Sequence, residues 1–436
     1  MSIERRFRVS RGIRTPDRHT SSAQRRPPAP DYVLPGKTDA TSPAIARFMF
    51  RTALFNSDHA RTRSLTAAIL CAALTGCGYG ILMPLAALNL EAMTRSASVV
   101  GVNAAAAALS TLVATLLIPA LLARIPPRLT LVASALIIAA SFVAFPALPD
   151  PWIWFILRFV AGLAVTVIFV VSETWINQLA KPEARASLLA VYATVLSAGF
   201  GSGALLLAAL GSQGWIPWLA GVAVFGVGAL PVLILRGPEL IPPSREKSGA
   251  DALVQAARMA PIALVAALVF GTLETGIFSL LPVYARRLGF EETGVGLLVA
   301  TGALGALCLQ IPIGQCADRM GVTFTLRLVA LSTFVLAIAI ALVGSTVWML
   351  APLIFLFVGI ASGFYTLGLS LLGARVKPAA LASANSAFIF AYGIGSLIGP
   401  PLGGIGMDIV NPQGLMMSFA GFALLYWVIS IAAKRR

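Results

Sequence analysis

Twelve stretches of this chain are long, apolar and nearly free of charge, and that feature leaves few folds open to it. They fall at 64–86, 97–120, 129–147, 152–178, 187–210, 214–235, 259–285, 293–316, 324–344, 347–372, 381–405 and 413–433. A run of about 18 or more such residues can cross a hydrocarbon core of ~30 Å as a helix. No water is present there, so each segment must satisfy its own backbone hydrogen bonds, as a helix or in a closed barrel. The alternation of apolar and polar residues that marks barrel strands is missing, which leaves helices. The chain is 58% hydrophobic and 11% charged, against about 45–50% and about 25% in soluble proteins. The expected fold is all-α and polytopic, with twelve transmembrane helices.

The remaining polar residues set the organisation and the expected orientation. Residues 1–63 are basic and Pro-rich, include Arg25-Arg26-Pro27-Pro28, and read as a disordered leader. Met49 offers a second start, so residues 1–48 are expected to be dispensable. The stretch Pro35-Gly36-Lys37-Thr38 ends like a P-loop, but Asp31 stands where the first glycine belongs and no strand precedes it. Residues 236–258 form a polar linker that separates 64–235 from 259–436, six spans on each side. With the N-terminus placed inside, 28 of the 32 basic residues fall on the cytoplasmic side, and the external loops hold only Arg95, Arg286 and Arg287. Both termini are therefore expected in the cytoplasm, with the protein multi-pass in the inner membrane. This placement also accounts for the net charge of +15 without a nucleic-acid partner. Both histidines, His19 and His59, precede the first span, which excludes a histidine relay or metal site within the membrane. The four cysteines form no metal-ligating pair and are expected to be small buried hydrophobes.

The chain also repeats itself. A shift of 196 residues lays Lys181-Pro182 on Lys377-Pro378, Ala186-Ser187 on Ala382-Ser383, and Tyr192 on Phe388. The same shift lays Gly199 and Gly203 on Gly395 and Gly399. Matches in equivalent helices imply duplicated halves, that is, two pseudo-symmetric six-helix bundles. Bundles of this kind suit alternating access around a site near the bilayer midplane.

The most specific motif is Gly314-Gln315-Cys316-Ala317-Asp318-Arg319-Met320-Gly321, at the end of the eighth span. It resembles the G-x-L-A-D-R-x-G signature of the major facilitator superfamily. Glycines there permit close helix approach and a sharp turn, and Asp318 can sit at a helix N-terminus, where the dipole favours an anion. Arg319 and Arg327 can pair with acidic groups across the loop. The motif reads as a conformational latch. Its first-half counterpart, Ala123-Arg124-Ile125-Pro126-Pro127-Arg128, lacks the Asp and the Gly. In the eleventh span, Gly395, Gly399, Pro400, Gly403 and Gly404 fit the G-x-x-x-G-P-x-x-G-G pattern of the family's drug antiporters. The pattern is read here as helix packing, with Pro400-Pro401 expected to bend the helix.

Span four carries Arg158 and Gly162, similar to the family's R-x-x-x-G element. It continues to Glu173-Thr174-Trp175-Ile176-Asn177 and then Arg185, which resembles the E-S-W-L-N … R-G segment of the YcaD-like permeases. Arg158 and Glu173 lie about 22 Å apart along a helix and cannot pair. Glu173 reads as an ion-pair partner of Arg185 or as part of the latch. Span seven carries Gly271, Glu274 and Leu281-Pro282-Val283-Tyr284, again like that branch. Glu274 is the one acidic residue deep in a second-half helix, so it is either a proton-carrying site or a packing residue. Arg158, Tyr79, Asn103, Gln310, Tyr365 and Tyr392 complete the candidate substrate and proton pathway. The resemblance implies secondary active transport of a small organic solute, coupled to protons, with efflux favoured over uptake. It implies no cofactor, no metal and no enzyme activity. A transport-inactive sensor or scaffold with the same fold is the alternative. Neither solute nor oligomeric state is readable.

Overall fold

The computed structural model describes residues 59–180, 185–235, 260–343, 346–376 and 381–432. The leader up to residue 58, the linker at 236–258, and Lys181-Pro182 and Lys377-Pro378 lie outside them. The described residues form fourteen helices that make twelve crossings. In chain order they are α1 (His59–Thr94), α2 (Ala97–Leu122), α3 (Pro127–Ala147), α4 (Pro151–Leu179), α5 (Arg185–Leu210) and α6 (Ile216–Ile234). After the linker come α7 (Pro261–Arg287), α8 (Glu292–Cys308), α9 (Gln310–Met320), α10 (Val322–Val343), α11 (Val347–Ala361), α12 (Gly363–Arg375), α13 (Leu381–Ile409) and α14 (Gly414–Ala432).

Two spans expected to be continuous are broken. The eighth is α8 and α9, which meet at Leu309, and the tenth is α11 and α12, which meet at Ser362. Pro312 explains the first break, since it has no N–H for the Cys308 carbonyl and its ring crowds that oxygen. At the second, the Ser362 hydroxyl donates to the Gly359 carbonyl at 2.6 Å, between Gly359 and Gly363, and such Gly/Ser clusters loosen a helix. The first span runs well past its expected end at 86, to Thr94, with Asn89 and Glu91 inside the helix. Starts are locally encoded where a cap exists. Asp150 accepts from the Trp152 and Ile153 amides at 2.9 and 3.0 Å, with Pro151 in the first turn of α4.

In lipid, apolar surface gives little drive for helices to associate, so close backbone packing carries more of the burden. Glycines provide it, and they do so twice. Gly76 of α1 lies against the Leu196 carbonyl of α5, while Gly199 and Gly203 of α5 lie against the Ala73 and Cys77 carbonyls of α1. In the second half, Gly271 of α7 lies against the Tyr392 carbonyl of α13, and Gly395 and Gly399 lie against those of Leu268 and Thr272. None of these positions has room for a Cβ. The glycines that match under the 196-residue shift therefore make matching contacts. Around these seams, α3 packs on α6 and α10 on α14. Arg128 ties α3 to the Val232 carbonyl of α6 at 3.0 Å, as Arg327 ties α10 to the Ser430 carbonyl of α14 at 2.6 Å. Arg327 thus bonds a carbonyl, not the acidic group expected for it, because its helix faces α14.

The halves meet along α2 with α13, α5 with α8, and α1 with α7. Gly101 and Gly404 allow the first of these, against the Pro400 and Ala97 carbonyls. Helix α13 runs on through Pro400 and Pro401. The cysteines depart from expectation: Cys71 is buried and Cys77 partly so, while Cys308 and Cys316 are exposed, as apolar residues on the outside of a membrane bundle can be.

Candidate functional site

Glu274 sits midway along α7, with Phe270 one turn before it on the same face. Tyr392 and Phe388 stand in the same relation on α13. The Tyr392 hydroxyl donates to Glu274 Oε2 at 2.7 Å. Tyr365, just past the break between α11 and α12, completes a ring cluster. Its centroid lies 5.3 Å from Phe270, 5.4 Å from Phe388 and 6.2 Å from Tyr392, and Phe270 lies 5.7 Å from Tyr392. Beside it opens a cavity of about 490 Å³ lined by Gln310, Tyr365, Thr366, Leu369 and Ser370. Gln310 is the first residue after the other break, and its Oε1 accepts a hydrogen bond from the Thr366 hydroxyl at 2.5 Å. Both broken spans therefore deliver their polar groups to one cavity, as discontinuous helices do in many carriers. Glu173 of α4 is exposed.

The structure thus gathers Glu274, Tyr392, Tyr365 and Gln310. It leaves Arg158, Tyr79 and Asn103 in a separate group within the first half. Arg158 is 3% exposed and its guanidinium lies 5.5 Å from the Tyr79 ring centroid. Its Nε and Nη1, and Asn103 Nδ2, are buried without a hydrogen-bond partner. Thr111 bonds Thr166 at 2.9 Å and Gly162 abuts Ala107 on the parallel helices α2 and α4, so Asn103 and Arg158 stand at one level.

The latch motif ends as the sequence implies at one glycine and not at the other. Gly321 closes α9 at φ +87°, a left-handed turn that favours glycine. Open space surrounds the missing side chain of Gly314, so close helix approach is not its reason here. Asp318 and Arg319 are exposed, and among the described residues no ion pair involves either. The Arg185 side chain lies outside the described residues, so its pairing with Glu173 is not described. Asn177 Nδ2 donates to the Glu173 carbonyl at 3.1 Å.

Sequence reasoning missed the network on the opposite face, which carries the α1–α2 and α7–α8 turns. Arg287 pairs with Glu91 of the first half at 2.7 Å and with Asp408 at 2.8 Å. It also donates to the Met407 carbonyl at 3.1 Å and to Asn411 Oδ1 at 3.2 Å. Asp408 in turn caps α2 across the divide. It accepts from the Ala97 and Ser98 amides at 2.9 Å and from the Ser96 and Ser98 hydroxyls at 2.9 and 2.7 Å. Glu292 accepts from the Ser212 hydroxyl at 2.6 Å, again between halves. The one available signal was opposite charge at span ends: Glu91, Asp408 and Glu292 occupy the loop ends where basic residues are scarcest.

The Major Facilitator Superfamily profile matches residues 68–366 and 263–436. The chain is 26% identical over 370 residues to the uncharacterized MFS-type transporter YfkF of Bacillus subtilis, covering 84% of this chain and 94% of that one. It is 26% identical over 321 residues to YcaD of Salmonella newport, likewise an uncharacterized MFS-type transporter, covering 72% and 81%. Among solved structures, the nucleoside transporter NupG superposes with a TM-score of 0.72 at 16% identity, over 86% of this chain and 99% of that one. A bacterial homologue of the lysosomal transporter Spinster, solved inward-facing and unoccupied, gives 0.66 at 16% identity, over 86% and 96%. At such identities these two speak for the fold alone. With two pseudo-symmetric six-helix bundles, a cavity at two broken helices and a family match along nearly all the described chain, this protein is a membrane transporter of the major facilitator superfamily, in its YcaD-like branch.

Proposed function

We propose that the protein exports a small organic solute across the inner membrane in exchange for protons, by alternating access of the bundles at 64–235 and 259–436. The observation that carries this reading is Glu274, a carboxyl at mid-span, held by Tyr392, whose ring lies against that of the cavity-lining Tyr365. Away from water a carboxyl favours its neutral form, and an opening to either side lets it exchange a proton there. A carrier with two states can tie that exchange to solute movement. In this reading, which follows the excess of Lys and Arg, Asp318 and both termini lie in the cytoplasm. The ion-paired face is then the outer one, sealed in this structure, while the latch around Gly314, Asp318, Arg319 and Gly321 stands disengaged on the inner side. In the opposite state the two exchange roles: Asp318 is held and Arg287 released.

The test is flux in everted membrane vesicles carrying the full chain, with a pH gradient and a solute found by thermal stabilisation of the purified protein. Wild type should accumulate the solute when the gradient is present and lose it when the gradient is collapsed. Glu274→Gln mimics the protonated state. It should fold, still bind solute, and reduce gradient-driven accumulation to background. Full accumulation by that variant would make Glu274 a packing residue and refute the coupling.

A further inference from the structure

We propose that the cavity at the two helix breaks is the cargo site, and that it takes an uncharged solute with a flat apolar body and one hydrogen-bonding edge. This rests on the transport reading above and adds the chemical class of the cargo. The cavity of about 490 Å³ is lined by Gln310, Tyr365, Thr366, Leu369 and Ser370, and none of the five carries a charge. That volume suits a drug-sized molecule. Residues four apart on a helix share a face, so α12 presents two neighbouring stripes to the cavity. Tyr365 and Leu369 make an apolar stripe. Thr366 and Ser370, one position on, make a hydroxyl stripe. Gln310 of α9 joins the hydroxyl stripe, since its Oε1 accepts from the Thr366 hydroxyl at 2.5 Å. The cavity therefore has one apolar wall and one polar wall.

Each wall is fixed from behind. Phe270 of α7 and Phe388 and Tyr392 of α13 pack on the Tyr365 ring, with centroids 5.3, 5.4 and 6.2 Å away. They hold that ring in one orientation, ready for a flat partner. On the polar wall, the bond from Thr366 occupies the Gln310 amide oxygen and leaves the two amide hydrogens. Among the described residues, no hydrogen bond takes up those hydrogens or the Tyr365 hydroxyl. Donors left in this way fit a carbonyl, amide or hydroxyl oxygen of the solute. An ion would find no opposite charge in the lining, and its lost hydration would go unmatched. Glu274 and Arg158 both lie outside the lining. The Tyr392 hydroxyl occupies Glu274 at 2.7 Å, and Arg158 is buried on α4 against the Tyr79 ring. Cargo and carboxyl thus belong to separate groups, linked through the contact of the Tyr365 and Tyr392 rings.

The probes are 2-naphthamide, 2-naphthoate and 2-naphthylmethylammonium, which share one flat ring system and differ in charge. Binding to the full chain in lipid nanodiscs is measured by calorimetry, with empty nanodiscs as the blank. At about pH 7 the acid and the amine are both ionised. The amide should bind saturably, and each ion at least about tenfold more weakly. Gln310→Leu keeps the bulk, removes the amide hydrogens, and should weaken binding of 2-naphthamide about tenfold. Ser370→Asp is the safeguard should that variant misfold, because Ser370 is exposed and tolerates a charge. It supplies the missing counter-charge and should make the ammonium the tightest of the three. Tighter binding of either ion to wild type, no saturable binding of the amide, or an order unchanged in Ser370→Asp would each overturn the proposal. Its failure is separable from that of the transport reading. Gradient-driven, Glu274-dependent accumulation of an ionic solute would refute only the uncharged cargo. Binding in the stated order, without flux in vesicles, would refute only transport.

Discussion

The two faces of the bundle differ in a way that the family's signature motif does not foretell. The face that carries the signature is idle: Asp318 and Arg319 are exposed, and among the described residues no ion pair involves either. The other face carries no motif quoted for the family, yet there Arg287 holds Glu91 and Asp408, and Asp408 caps α2 across the divide. A latch conserves no single appearance between states, since its groups are paired in one and solvated in the other. In the proposed cycle, the side that is closed shows its latch as bonds, and the side that is open shows only the residues that would make them.

Breaking the closed side should have the largest effect. Arg287→Ala removes both ion pairs and leaves Glu91, 15% exposed, without its partner. The loss should be about 2 kcal/mol against this state, between the values for exposed and buried pairs, or roughly a thirtyfold shift in population. Spin labels at Met93 and Val410, one in each half on that face, should report a longer distance. An unchanged distance would show that the network follows closure without stabilising it. Asp408→Asn should do less, about 1 kcal/mol, because the amide oxygen can still cap the helix while the charge at its N-terminus is lost. The same spin pair checks it, and an effect as large as that of Arg287→Ala would mean that the charge, and not the cap, is what counts.

The idle side sharpens the contrast by an expected absence. Asp318→Asn should leave the thermal stability of this state within about 0.5 kcal/mol, since an exposed group that forms no ion pair among the described residues contributes little. Turnover should nevertheless slow, because the opposite state loses its latch. A clear fall in stability would place Asp318 in contacts made in the present state.

The spans were legible in the sequence because hydropathy alone sets them. The repeat was legible too, since Gly199 and Gly203 match Gly395 and Gly399 and each must sit on a backbone. The helix breaks were not. Pro312 and the Gly359–Gly363 segment are tolerated inside spans elsewhere, and only neighbours decide whether the helix gives way. Glu274 stood out as a lone carboxyl, whereas its rings come from positions as distant as Phe270 and Tyr392, which no local pattern links. Arg287, Glu91 and Asp408 were harder still. Each is an ordinary charge at a span end, and the pairing joins residues 196 and 121 positions apart.

The account turns on the two faces closing in alternation, and one measurement addresses that directly. Spin-pair distances would be recorded on both faces of the same protein, Met93 with Val410 on one and Ala123 with Met320 on the other. Wild type would be compared with Arg287→Ala. The account predicts that the variant lengthens the first distance and shortens the second in the same proportion of molecules. Lengthening of the first with no change in the second would contradict it, because the faces would then open independently and no alternating carrier could be built from them.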